Sequence, residues 1–154
     1  VMTIKALPAT PSIDMTIIAR AQEAKKEMVY LEDWRAQMTL FDDIVNIDTL
    51  RYILDDIEQF ERDSAEMVAI YTSGDEARLA EFMRDPARYP NGTDEAALER
   101  LLFKRNRSWI AELEKQLHRG GAFIAVGAGH LTGAGSVNQL LADRGFTITR
   151  LTSP

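Results

Sequence analysis

The stretch Gly120-Gly121-Ala122-Phe123-Ile124-Ala125-Val126-Gly127-Ala128-Gly129-His130-Leu131-Thr132-Gly133 decides how the chain is read. Residues 122–126 are apolar throughout, as in a strand buried on both faces. A glycine-rich loop runs on from Gly127 to Gly135. Val137, Leu140 and Leu141 then recur at helical spacing, and Arg144-Gly145 closes that helix. Phe146-Thr147-Ile148-Thr149-Arg150 alternates and predicts a final strand. Residues 122–150 therefore read as a βαβ unit with parallel strands and a right-handed crossover.

Outward from this unit the pattern turns helical. Leu98, Leu101, Leu102, Trp109, Leu113 and Leu117 trace one stripe, which predicts a long helix from about Asp94 to His118, ended by Gly120-Gly121. Met28-Val29-Tyr30-Leu31 reads as a further short buried strand, closed by Glu32-Asp33. Asp14 is a candidate cap for a helix to about Lys26, and Trp34, Met38, Phe41 and Val45 mark another. A long stripe from Leu50 to Tyr71 stops at Ser73-Gly74-Asp75, ahead of a short helix through Met83. The fold class expected is α/β and helix-rich: a short, mainly parallel sheet with a carboxyl-terminal βαβ unit and long helices packed on it.

The 154 residues suit a single domain spanning 1–154, since a domain takes about 150. Within it, residues 42–92 read as a helical, acidic, insertion-like segment. Nine acids between Asp42 and Glu66 face only Arg51 and Arg62, which accounts for a chain net charge of −6. Such a run is most often a solvated helix face. An acidic balance disfavours nucleic acid and anionic membranes as partners. The chain has no Cys, which removes disulfides, thiol nucleophiles and thiolate metal sites. It has two His, His118 and His130, and no apolar run long enough for a transmembrane segment. Val1 is not an initiator, so the sequence is expected to begin inside a longer precursor.

Chemistry concentrates at the loop after residues 122–126. In open α/β sheets ligands bind beyond the carboxyl ends of the strands. Gly127 and Gly129 let the backbone approach a ligand or cofactor, and His130 can bind metal or move protons. A Gly-rich turn with a capping His is the plain alternative. Gly127, Gly129 and Gly133 also spell a loose dinucleotide motif, a distant alternative because no second half follows. Arg105 and Asn106 interrupt the apolar stripe, where an unpaired guanidinium would be costly. Either Arg105 snorkels at the stripe edge, or the pair faces a polar site. Glu32, at the end of its expected strand, would share a rim with His130 as metal ligand or acid/base partner.

These residues converge on a known pattern. Arg105-Asn106, a nearby Trp, the Val-Gly-Ala-Gly-His-Leu-Thr-Gly loop and a closing Arg-Gly-Phe strand resemble the carboxyl-terminal half of the TraB/GumN family. That family is related to the Tiki proteases and more distantly to the ChaN/EreA group. Leu31-Glu32 with Gln37 and Phe41 is similar to its Leu-Glu-Thr…Gln…Phe segment, with Asp33 in place of Thr. The resemblance implies a metal-dependent peptidase with Glu32, Arg105, Asn106 and His130 facing one cleft. Glu32 and His130 would be metal ligands, and Arg105 and Asn106 would stabilise an oxyanion or orient a ligand carboxylate.

Family members carry two G-x-x-H motifs, and Gly127-Ala128-Gly129-His130 matches the second. No other exists here, so a divalent metal, manganese- or cobalt-like, is expected only with a missing amino-terminal histidine. The chain is accordingly expected to be the carboxyl-terminal part of a longer protein, inactive alone. The alternative is a non-catalytic module binding a peptide or small-molecule ligand. The resemblance also implies a bacterial cell-envelope or secreted location. An exposed sheet edge left by missing strands predicts a homodimer.

Overall fold

The computed structural model describes residues 12–44, 47–88 and 95–151. Val45, read as part of a helical stripe, lies outside them. Eight α-helices are described: α1 (Ile13–Glu23), α2 (Trp34–Ile44), α3 (Ile47–Asp55), α4 (Ile57–Ser73), α5 (Glu76–Arg84), α6 (Glu95–Leu98), α7 (Lys104–Arg119) and α8 (Val137–Ala142). No described helix is long and apolar enough to cross a membrane.

Local chemistry sets the helix ends. Ser12, rather than Asp14, caps α1, its hydroxyl accepting from the Met15 N–H. The long stripe from Leu50 breaks at Asp56, whose carboxylate accepts from the Gln59 N–H and starts α4. Gly74, at φ +72°, ends α4 in the left-handed conformation that glycine adopts without strain, and Asp75 caps α5. The helix expected from about Asp94 runs from α6 into α7 through a π turn at Glu99–Phe103.

The expected βαβ unit and parallel sheet are absent from the described residues, which are helix-rich and hold no strand. The three segments read as strands, 28–31, 122–126 and 146–150, run as non-helical chain with no ladder between them. Helices close their hydrogen bonds within one segment, so their periodicity suffices to foretell them. A strand exists only as a pair. An apolar run records what wants covering, not what covers it. Phe123 is 80% exposed and Tyr30 74%, the reverse of burial on both faces.

Each of these segments nonetheless sends one side chain into the core. Leu31, Val126 and Phe146 pack against Trp109, Ile110 and Leu113 of α7 and Val137 and Leu141 of α8. Ile110, Leu113, Val137 and Leu141 are each nearly inaccessible. Burying such aliphatic side chains contributes about 1.5–3 kcal/mol apiece. This core anchors the chain just ahead of Glu32 and just ahead of Gly127. The acidic helices are partly neutralised from within: Arg88 bonds Asp63 at 2.5 Å, Glu66 at 2.9 Å and Asp85 at 3.2 Å.

Candidate active site

Glu32 leads into α2, Arg105, Asn106 and Trp109 project from α7, and His130 ends a 3-10 turn at Ala128–His130. Core packing of Leu31 and Val126 brings the first and last of these to α7. Arg105 grips Glu32 through two bonds, Nε to Oε2 at 3.0 Å and Nη2 to Oε1 at 2.5 Å. Its Nη1 donates to the Leu101 carbonyl at 2.9 Å, within the π turn, and lies 3.3 Å from His130 Nε2. π turns recur at functional sites.

His130 Nδ1 is 2.6 Å from Asn106 Oδ1, and Asn106 Nδ2 donates to the Gly135 carbonyl at 2.8 Å. The Trp109 ring lies 4.6 Å from the imidazole and 5.0 Å beneath the Arg105 guanidinium. Its buried Nε1 has no hydrogen-bond partner among the described residues. A cavity of about 910 Å³ opens over this cluster, with Tyr30, Trp34 and Gln37 on its further walls.

The electrostatics follow from partial burial around one cation. Burial and then the neighbouring Arg105 charge depress His130 to about 4, against a smaller opposing pull from Glu32. The imidazole is therefore neutral at pH 7. Burial alone would raise Glu32, but the hydrogen bonds and charge of Arg105 outweigh it and hold the carboxyl below its ordinary range.

Glu32, Arg105, Asn106 and His130 thus meet at one place. Gly127 lines the cavity, whereas a side chain on Gly129 would run into the end of Met83. Gly129 therefore gives room for α5 to close on the loop. His118 lies apart in the last turn of α7, its Nδ1 2.7 Å from the Glu114 carbonyl oxygen. Trp109, part of the apolar stripe and of the family pattern, joins the site as well, since it follows Arg105 by four residues and shares its face of α7. The backbone acceptors of Leu101 and Gly135 have no side-chain signal and were not foreseeable.

A resident metal does not fit the residues described. Glu32 and His130 are two donors, both already bonded to the same guanidinium. No cluster of three or more His, Cys, Asp or Glu lies within ligating reach among the described residues, and a catalytic metal ordinarily takes three protein ligands.

A helical frame thus offers a carboxylate, a guanidinium and a neutral imidazole to one cavity. The chain belongs to the TraB/PrgY/gumN family, whose pattern matches residues 2–150. No curated protein and no solved structure matches it.

Proposed function

We propose that this chain supplies one wall of a hydrolytic site for peptide bonds. The observation that carries the reading is the convergence of Glu32, Arg105 and His130 on one cavity. Family membership and the G-x-x-H sequence at His130 support it. In this reading the neutral His130 Nε2 accepts a proton or a ligand contact. Arg105 faces the negative charge that develops on a carbonyl oxygen. A divalent metal, manganese- or cobalt-like, enters only with a further histidine that this chain does not contain. The chain by itself is then inactive.

The test is manganese- or cobalt-dependent cleavage of an unstructured protein substrate by the native protein. Loss of cleavage by at least about 100-fold in His130→Ala and in Glu32→Ala is expected. Cleavage that survives either change overturns the assigned roles.

A second reading rests on Arg105 already saturating Glu32 and His130: a binding module for a peptide or small-molecule ligand without turnover. Ligand binding without cleavage under any metal, lost in Arg105→Gln, favours it. The dinucleotide alternative requires a βαβ crossover, which the described residues do not form.

A further inference from the structure

The hydrogen bonds around His130 determine more than its position. A backbone carbonyl can only accept, so the atom of Asn106 that faces the Gly135 oxygen at 2.8 Å is the NH₂ group. The other end, facing His130 Nδ1 at 2.6 Å, is then the carbonyl oxygen, which also can only accept. Nδ1 therefore carries a proton. On the opposite side of the ring, the Arg105 guanidinium can only donate, and Nη1 lies 3.3 Å from Nε2. Nε2 therefore carries a lone pair. Two neighbours with fixed and opposite roles demand the same form of the ring.

Asn106 is fully buried, so no water competes for either end of its amide. Reversing the amide would set two acceptors against each other at the Gly135 oxygen. The backbone holding that oxygen is itself special: Gly135 has φ +72°, and a Cβ there would lie 2.9 Å from the Phe103 ring. The relay runs from the Gly135 carbonyl through Asn106 to His130 and ends at the cavity.

We propose that Asn106 is a positioning residue that locks His130 as the neutral Nδ1–H tautomer, so that the Nε2 lone pair faces Arg105 at the cavity and opens to a ligand where that contact is given up. An exposed histidine ordinarily prefers the opposite tautomer, so the relay reverses the default. Asn106 itself has no free polar atom to offer a ligand and acts through the imidazole. The inference deepens the proposed site, whose chemistry needs an unprotonated Nε2, but it can be checked without any substrate.

The experiment is a long-range proton–nitrogen correlation spectrum of the nitrogen-15-labelled protein at pH 7, with His118 as internal comparison. The expected result for His130 is a protonated, pyrrole-like Nδ1 and an unprotonated, pyridine-like Nε2. An Nε2–H ring or an imidazolium overturns the proposal. In Asn106→Ala the pyridine-like Nε2 signal should be lost or averaged. Unchanged signals in a folded Asn106→Ala variant overturn the role of Asn106.

Should Asn106→Ala fail to fold, the wild-type Hδ1 proton decides. A slowly exchanging resonance close to the Asn106 side chain supports the relay, and rapid exchange with solvent refutes it. Peptide cleavage that fails under every metal would leave these spectra as they are, so this proposal and the functional one fail separately.

Discussion

At the scale of single residues the cluster is built around Arg105, which reaches Glu32, His130 and the Trp109 ring. That arrangement gives the protein a defined response to acid. His130 is near 4 in the folded chain against an ordinary value of 6.5. Between those values the unfolded ring takes up a proton that the folded one does not. Stability contributed here is complete above about pH 6.5 and falls as the pH drops toward 4, by about 2 kcal/mol after allowance for solvent. Glu32, held low by Arg105, keeps its own contribution until below the ordinary carboxylate range. Urea unfolding at pH 7.5 and pH 4.5 measures the loss, and His130→Gln should remove that part of it. An equal loss in the variant places the titration elsewhere.

At the scale of elements the glycine loop is shaped by its packing. Met83 and Arg84 of α5 press on Gly129 and Gly133, and Arg84 Nη2 donates to the Ala134 carbonyl at 2.9 Å. A methyl on Gly129 meets the movable end of Met83, whereas one on Gly135 meets an aromatic ring and a positive φ. Gly135→Ala is therefore expected to cost about 2–3 kcal/mol and Gly129→Ala about 1 kcal/mol. Thermal or urea unfolding of both variants gives the order, and a reversed order refutes this account. Helices, caps and the Arg105-Asn106 anomaly were legible because each is written within one turn or two of sequence. Asp75 capping α5 and Gly120 ending α7 are of this kind. Glu32 and His130 are expected together on the rim of a sheet that the described residues do not form, and the joining of both to Arg105, across 73 and 25 residues, is legible only through the family resemblance. The sheet was misread because residues 122–126 carry the composition of a strand without the neighbour that makes one.

At the scale of the molecule, that unpaired segment leaves Val29, Tyr30, Phe123 and Ile124 exposed near one another along an apolar groove. Backbone N–H and C=O groups without ladder partners invite a second chain. Light scattering is expected to report a dimer, twice the 17.3 kDa chain mass. Ile124→Pro, which removes a backbone donor from the segment, should shift it toward monomer. A clean wild-type monomer at high concentration refutes this.

The acidic helices bear on the site through the same loop. Ala80, Met83 and Arg84 of α5 line the back of the glycines whose front carries His130. Excising 47–88 as a dispensable appendage would strip the support from behind the imidazole. The segment is a buttress, and the histidine should lose its fixed orientation in any trimmed version of the chain.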